Sequence, residues 1–508
     1  MPPFETDPDL LAKYREDAAH YPGGHTPAVV RPQTPQEVAD LLAGTGTGSR
    51  VLTVGAQSSL TGGATPFGDL VLSTERLTVL EMQGDRIRAG AGVTLQAVQD
   101  ALAAVGRWLP PVPTYLGATA GGAAATCAAG AATFKYGTVR EWIDGITVVL
   151  VNGDVLDLER GQRRAASLVA IPSLQMPDVP KHSAGYFIAP EMDLVDLFIG
   201  SEGTLGVIAE VLFRTAARPA ATCRALVPVA DEAAGIRLVA ELRAAAQETW
   251  QSRDPLGIDV AAIEHIDARS IQVIREDGVD RKLEITLPTG AGIVLLIEIE
   301  LSAEAAAQDL WRQLESARDE DAADAPLRRF CALLDRHHAL DDAEIALPDD
   351  KKRAAAFAEL REAVPAGVNR RVALAQQQID PRIYKTAADM IVPFERFGEM
   401  MGVCRQLFAE RDLDLVVWGH ISDGNVHPNL LPKSAADVTK GQDAILALGD
   451  AVIAMAGSPL AEHGVGRNPI KQELLRRLYG SDGVDAMREI KRALDPRGVL
   501  ASGVIFAE

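Results

Sequence analysis

VGAQSSLTGGATP, residues 54–66, follows directly on a β-like run, VLTVG at 51–55. The loop offers a series of backbone N–H groups, hydroxyls at Ser58, Ser59 and Thr61, and two glycines, Gly62 and Gly63. Such a turn can hold a diphosphate through main-chain dipoles, with no basic side chain. A Gly/Ser turn joining two strands would have the same composition. Neither GxGxxG nor GxxxxGKS/T is present, so the usual dinucleotide and P-loop readings fail. A second small-residue stretch, PPVPTYLGATAGGAAATCAAGAATFKYGTVREW, occupies 110–142. Gly121, Gly122, Ala125, Ala128, Ala129 and Gly130 would let backbone approach a flat ring system closely. A third, GSEGTLGVIAE at 200–210, again joins a glycine turn to an apolar run.

Outward from the first loop, EVADLLAGTG (37–46) and TLQAVQDALAAVG (94–106) carry helical periodicity. VLTVG and DLVLST (69–74) predict strands, and ITVVLVNGDVLDL (146–158) predicts a hairpin around Asn152-Gly153. Hairpins among the alternating strands and helices exclude a simple parallel-sheet nucleotide fold. After about Thr215 the texture shifts to Ala/Glu/Arg-rich helices around one apolar strand, GIVLLIEIEL (292–301). ESARDEDAADA (315–325) predicts a charged, exposed segment, and a helix is expected over 444–456.

The 508 residues, 47% of them hydrophobic, allow two or three domains. A net charge of −20 argues against nucleic-acid binding, which needs clustered cations, but leaves room for a small anionic substrate. Cys127, Cys223, Cys331 and Cys404 stand apart with no CxxC, which fits a reducing compartment and no cysteine-ligated cluster. The N-terminal MPPFETDPDLLAKYRED lacks the apolar core of a signal peptide. The uncharged run at 115–134 is nearly all Ala, Gly and Thr, too weakly hydrophobic to span a bilayer. A soluble, cytoplasmic protein is expected.

VVWGHISDGNVHPNLL (416–431) sets His420 and His427 seven positions apart. Two β-like runs flank a DGN turn, so a hairpin with a histidine at the end of each strand could aim both imidazoles at one point. Spacing alone does not choose between half of a metal site and a loop with two solvated histidines.

Taken together, SSLTGGATP, PPVPTYLGATAGG, KYGTVREW, GSEGTLGVIAE, ADMIVP (388–393), GHISDGNVHPN, AEHGVGR (461–467) and LDPRGVL (494–500) form a recognisable series. The chain resembles the FAD-linked D-2-hydroxyacid dehydrogenases: D-lactate dehydrogenases, the glycolate oxidase FAD subunit and D-2-hydroxyglutarate dehydrogenase. The resemblance covers nearly the whole sequence. It implies an α+β fold with a two-subdomain FAD-binding domain of the vanillyl-alcohol-oxidase (PCMH-like) type over 1–218. An α+β substrate cap over 219–412 and a closing C-terminal segment over 413–508 would complete it. Gly55, Ala56, Gln57, Ser58, Ser59, Leu60, Thr61, Gly62 and Gly63 would cradle the FAD diphosphate. Pro113, Gly117, Gly121, Gly122, Ala125, Gly206, Val207 and Ile208 would line the cofactor, and Asn425 would contact flavin or substrate.

The same resemblance adds Glu462 to His420 and His427 as a third ligand for Zn²⁺ or Mn²⁺, with His463 as general base. Arg361, in ELREAVP, matches an arginine that binds the substrate carboxylate in relatives; Lys385 lies two positions from a family lysine. Ser422 stands where the family usually has Gly, Cys127 where it has Asn, and ASGVIF (501–506) replaces a common NPGK-type ending. The adjacent pair Glu264-His265 is a decoy whose histidine is expected to pack in the cap, where related sequences carry an aromatic. His337 and His338 are expected on a polar, solvated helix, and His25 and His182 lack companion ligands.

The implied activity is oxidation of a small D-2-hydroxy acid, D-lactate foremost, with glycolate or D-2-hydroxyglutarate as alternatives. Electrons would leave to a partner protein, a quinone or oxygen, the enzyme sitting free or peripheral to a membrane through that acceptor. Two other classes fit fewer of the features: a metal-dependent hydrolase and a non-catalytic flavin-binding subunit. Some members attach FAD through a histidine, but Gln57 occupies the diphosphate loop, so the cofactor is expected to be non-covalent. Acid precipitation should therefore leave the flavin colour in the supernatant; colour retained on the pellet would refute this.

Overall fold

The computed structural model describes residues 2–46, 48–110, 113–319 and 321–507. Pro111 and Val112 of the PPVPTYLGATAGG motif, and Glu320 of the charged segment, lie outside them. The chain folds as two compact units. Met1–Gly130, Gly137–Arg218 and Ser458–Glu508 form the first, Ala131–Tyr136 and Pro219–Gly457 the second.

In the first unit, β1 (Val29–Val30), β2 (Val51–Val54) and β3 (Leu70–Ser73) make a parallel sheet in the order β1-β3-β2. The end of the chain extends its edge: the Val51 N–H donates to the Val499 carbonyl (2.7 Å) and the Ala501 N–H to the Val51 carbonyl (2.8 Å). A five-stranded antiparallel sheet follows, β4 (Leu80–Gln83), β5 (Arg86–Gly90), β7 (Ile143–Val149), β8 (Val155–Glu159) and β9 (Val207–Arg214), ordered β4-β5-β9-β7-β8. A small ribbon pairs β6 (Arg107–Trp108) with β10 (Ala216–Ala217). The helix Pro35–Gly44 begins where the Thr34 hydroxyl accepts the Glu37 N–H and lays Val38 and Leu42 into a core with Val51, Leu72, Val149 and Val207. The uncharged 115–134 run forms the short helix Ala120–Ala125 in this unit and enters the helix Thr133–Tyr136, which belongs to the second. Among the described residues no helix is long and apolar enough to cross a membrane.

The second unit is built on a seven-stranded antiparallel sheet. Its strands are β11 (Ala221–Val229), β12 (Asp259–Asp267), β13 (Ile293–Leu301), β14 (Glu344–Ala346), β15 (Met390–Ile391), β16 (Leu415–His420) and β17 (Asn425–Leu430). Their order is β14-β11-β13-β12-β16-β17-β15. The helices Lys351–Gln378 and Ala268–Glu276 bring Leu360, Val364, Val368 and Val273 into a core with Ile266, Val416 and Trp418. Each large aliphatic buried there contributes about 1.5–3 kcal/mol. His265 packs on the opposite face, fully buried, edge-on to Phe397 and 3.5 Å from Glu232.

The expected hairpin is β16–β17, but His427 does not end its strand. Register pairs His420 with Asn425 and Trp418 with His427, because the turn consumes only 421–424. The expected helix over 444–456 starts nine residues earlier, at Ala435, where the Ser434 hydroxyl caps the Asp437 N–H. The segment at 315–325 is mostly exposed, as its charge predicts, although Ala325 is buried. His337 departs from expectation: it is half-buried at the end of the helix Pro326–Arg336, its ring 2.9 Å from Glu241, while His338 is exposed.

Gly424 makes the β16–β17 turn possible. Its φ is +85°, and a Cβ there would collide with the Val392 carbonyl oxygen. Gly424→Ala is expected to cost roughly 2–4 kcal/mol, from left-handed backbone plus the clash. A thermal midpoint within a degree of the unsubstituted chain would contradict this.

Candidate active site

Strand alternation decides which side chains of the second unit share a surface. Glu264 on β12 lies opposite His420 on β16, and His420 lies opposite Asn425 on β17, so all three project from one face. Trp418 and His427, also cross-strand partners, share that face, and the two imidazoles meet edge-on with centroids 5.5 Å apart. Asp389, immediately before β15, reaches the same place. Its Oδ1 lies 3.4 Å from His427 Nδ1 and accepts a hydrogen bond from Asn425 Nδ2 at 3.1 Å. His420 Nδ1 lies 3.1 Å from Glu264 Oε2. Asn425 is fixed further by donating to the Met390 carbonyl at 2.9 Å, and its Oδ1 has no hydrogen-bond partner among the described residues.

The helix Lys351–Gln378 covers this face and carries Arg361, whose Nε is 3.5 Å from Glu264 Oε1 and whose Nη1 is 2.8 Å from Glu362. Burial alone would raise the Glu264 carboxyl; Arg361, with His420 and His427, overrides it and holds the group at about 2. The proposed substrate arginine is thus pre-set by a half-buried carboxylate. Lys385 lies exposed on the loop leading to β15. Ser422, at the hairpin tip, is fully buried: its hydroxyl accepts the Ile263 N–H at 3.2 Å and its carbonyl accepts from Arg243.

In the first unit the three glycine segments converge. The Gly200 N–H donates to the Ala124 carbonyl (3.0 Å) and the Glu202 N–H to the Ala125 carbonyl (2.8 Å), tying the third segment to the second. The Gly121 N–H bonds the Ala91 carbonyl, and the Thr119 hydroxyl caps the short helix through the Gly122 N–H. Around the first loop, Ser59 and Thr61 exchange a hydroxyl contact of 3.2 Å, and Gln57 (φ +55°) donates to the Glu16 carbonyl. Ser58, Ser59 and Gly63 are half-buried, and Ala56 and Leu60 exposed. The donor set is hydroxyl and main-chain, which suits phosphate oxygens without a cation. Pro113, Gly117 and Ala125 are half-buried, whereas Gly206, Val207 and Ile208 are buried where β9 begins. Cys127, buried, has φ +49°, a left-handed conformation that asparagine tolerates better than most residues.

Glu462 and His463 sit on a loop that Glu202 clamps. Its two carboxylate oxygens accept the Val465 and Gly466 N–H groups, both at 2.8 Å. Gly466, at φ +57°, presses so closely on Thr61 that no Cβ would fit. The Arg467 N–H donates to the Thr61 carbonyl, and the Ile505 N–H of the terminal ASGVIF to the Gly466 carbonyl. Glu462 Oε2 receives the ammonium of Lys181 at 2.8 Å, a lysine with a side chain only 1% exposed. The His463 ring is partly exposed, its Nε2 3.4 Å from Glu462 Oε1. His182, stacked on Phe187, is lowered to about 4 by burial and by Arg140, while His25 is exposed.

Sequence reasoning missed four of these groups: Glu264, Asp389, Lys181 and Glu202. Glu264 was visible as half of the Glu-His decoy, and alternation within AAIEHID would have separated the two onto opposite faces. Asp389 and Glu202 lay inside motifs without a chemical reason to be singled out, and nothing local marks Lys181.

The family model described as "FAD linked oxidases, C-terminal domain" matches residues 219–505, and the "FAD binding domain" model matches 26–159. Relatives include the glycolate oxidase subunit GlcD of Bacillus subtilis, 26% identical over 500 residues (95% of this chain, 89% of the relative). The mitochondrial D-2-hydroxyglutarate dehydrogenase of Bos taurus is 27% identical over 514 residues (97% and 79%). The D-lactate dehydrogenase of Archaeoglobus fulgidus is 26% identical over 486 residues (94% and 90%). A solved structure of alkyldihydroxyacetonephosphate synthase superposes with a TM-score of 0.61 at 13% identity, covering 98% of this chain and 81% of that one. That likeness concerns the fold, the two-domain FAD-binding PCMH-like type.

Burial raises the Glu202 carboxyl to about 6, against the two N–H groups that favour its ionised form. The folded form therefore holds this proton while the unfolded chain releases it, and stability falls as pH rises from about 4.5 to about 6. Glu202→Gln abolishes that titration. Its destabilisation relative to the unsubstituted protein should be larger at pH 4.5 than at pH 7, by up to about 2 kcal/mol. A difference independent of pH in paired denaturation curves would refute the assignment.

Proposed function

The chain belongs to the FAD-linked oxidases, an oxidoreductase family, and on that premise we propose that it oxidises a small D-2-hydroxy acid to the 2-oxo acid. D-lactate is the favoured substrate; glycolate and D-2-hydroxyglutarate, named among the relatives, are the alternatives. The observation that carries the reading is the pair of buried imidazoles on one sheet face, each backed at Nδ1 by a carboxylate. That arrangement suits rings whose other nitrogen binds a cation. Family membership leaves the hydrolase reading without support.

Bound FAD supplies the hydride acceptor, and a bound divalent ion, Zn²⁺ or Mn²⁺, supplies Lewis-acid polarisation of the hydroxyl. His420, His427 and Glu462 are the residues proposed to hold the ion. Oxidation must remove the hydroxyl proton as the Cα hydrogen departs with its electron pair. His463 is assigned that proton, since a neutral imidazole accepts one readily near neutral pH. Arg361 is assigned the substrate carboxylate, where a planar guanidinium gives bidentate recognition. It keeps Glu264 on its other side, so its position is held before substrate arrives. Lys385 is a second, more exposed candidate for an anionic group.

The FAD is proposed to lie non-covalently, its diphosphate against Gly55 to Gly63 and its ring near Pro113, Gly117, Gly121, Gly122, Ala125 and Gly206 to Ile208. Asn425 offers its remaining amide oxygen to flavin or substrate. Electrons pass on to a partner protein, a quinone or oxygen.

Anaerobic mixing with a panel of D- and L-2-hydroxy acids should bleach the flavin with D-acids and slow on chelation. His463→Asn should lower the bleaching rate by roughly 10²–10⁴-fold. Bleaching by L-acids alone, or rates indifferent to chelation, would overturn the chirality or the ion's role respectively.

A further inference from the structure

The two carboxylates behind the histidines take no part in the proton and hydride steps above, but they face the proposed ion ligands directly. Glu264 and Asp389 come from different strands, β12 and the lead-in to β15, and flank the β16–β17 hairpin from both sides. Each lies against the same atom of its histidine, at ion-pair distance though not aligned as a hydrogen bond: Glu264 Oε2 is 3.1 Å from His420 Nδ1, and Asp389 Oδ1 is 3.4 Å from His427 Nδ1. Asp389 is buried, its side chain 1% exposed, and Glu264 is half-buried at 13%. We propose that Glu264 and Asp389 are positioning residues that fix His420 and His427 in the Nδ1–H tautomer and thereby dedicate both Nε2 atoms to a divalent cation. The inference rests on the reading that these two histidines hold the ion.

The chemistry follows from what an imidazole can do. A neutral ring carries one N–H and one lone pair, and whichever nitrogen donates leaves the other to bind metal. An acceptor-only carboxylate beside Nδ1 settles the choice, orients the ring and raises the basicity of Nε2. The two carboxylates are themselves anchored. Asp389 takes the Asn425 amide at 3.1 Å, and Glu264 is 3.5 Å from Arg361. Glu264 therefore contacts the proposed ion ligand and the proposed substrate arginine through its two oxygens, Oε2 and Oε1. One carboxylate thus sets both the metal ligand and the substrate-carboxylate anchor, and losing it disturbs both.

The opposite face of the same sheet provides a built-in comparison. His265 and Glu232 form a second Glu–His pair at 3.5 Å, but His265 lies edge-on to Phe397 and Glu232 is also bonded by Arg405, so this carboxylate is already satisfied within the protein.

The test uses full-length flavoprotein, stripped by chelator and titrated with Zn²⁺ and separately Mn²⁺ against a chromophoric competitor. Glu264→Gln and Asp389→Asn should each weaken binding by about 10–100-fold, the range for outer-sphere partners of histidine ligands. Glu232→Gln should leave it unchanged. Flavin content, monitored in parallel, should stay at the unsubstituted level. Glu264→Gln should also raise KM for the hydroxy acid, which Asp389→Asn should not do to the same degree. Wild-type affinity in both variants, with binding lost in His420→Ala, would overturn the positioning role and spare the ion site. No binding by the unsubstituted protein, or binding untouched in His420→Ala, would overturn both. Should the variants not fold, ¹⁵N-histidine spectra of the unsubstituted Zn²⁺-loaded protein decide: Nδ1–H on both rings supports the proposal, and Nε2–H on either overturns it.

Discussion

Burying charge where the surroundings are apolar is the constraint around which the second unit is arranged. Glu264, Asp389, His420, Asn425 and His427 project from a sheet face whose neighbouring positions are Ile266, Val416 and Trp418, packed under a long helix. A polar group left without a partner there would cost about 1–3 kcal/mol, and an ion more. The sheet meets this by making partners of adjacent strands, so that each carboxylate has an imidazole, an amide or Arg361 within reach. Strand register thereby becomes chemical specification. A slip of one residue would turn every one of these groups to the opposite face, into the layer occupied by His265 and Phe397.

The first unit solves a different problem with backbone. Its glycine segments lie on unconnected parts of the sequence, and what binds them is main-chain hydrogen bonding through Glu202, Ala124, Ala125 and Thr61. The loop with Glu462 and His463 is held at three places: by the Glu202 carboxylate, by Thr61 and by the terminal turn at Ile505. Lys181 fixes the Glu462 carboxylate from below 2% exposure. A loop so restrained presents its side chains with little conformational entropy left to lose, which is what orientation in catalysis demands.

Much of this was legible in the sequence, and the remainder was hidden for definable reasons. Local patterns announced β2, β3, the β7–β8 hairpin, β13 and the histidine hairpin, because period-two burial and turn residues act within a few positions. The histidine pair could be seen but not interpreted, since spacing along the chain does not report cross-strand distance. Glu264 lies 156 positions before His420, and only the order β12-β16-β17 makes them neighbours. The start of the helix at Ala435 was missed because its first turns are polar and its cap, Ser434, precedes the apolar stripe. Lys181 shows the limit most plainly: a lysine in a polar stretch reads as solvated, and only tertiary pairing buries it.

The pairing of Val51 with Val499 and Ala501 has a consequence for how the molecule comes to exist. β2 leads into the Gly/Ser loop at 54–66, yet its edge is covered by residues synthesised some 450 positions later. The second unit, nearly contiguous from Pro219 to Gly457, is complete while that edge is still bare. A growing chain therefore carries an open parallel strand throughout most of its synthesis, the kind of edge that recruits other strands. Closure of so long a loop makes the first unit the slow-forming part. Residues 499–501 act as the latch that ends this exposed interval.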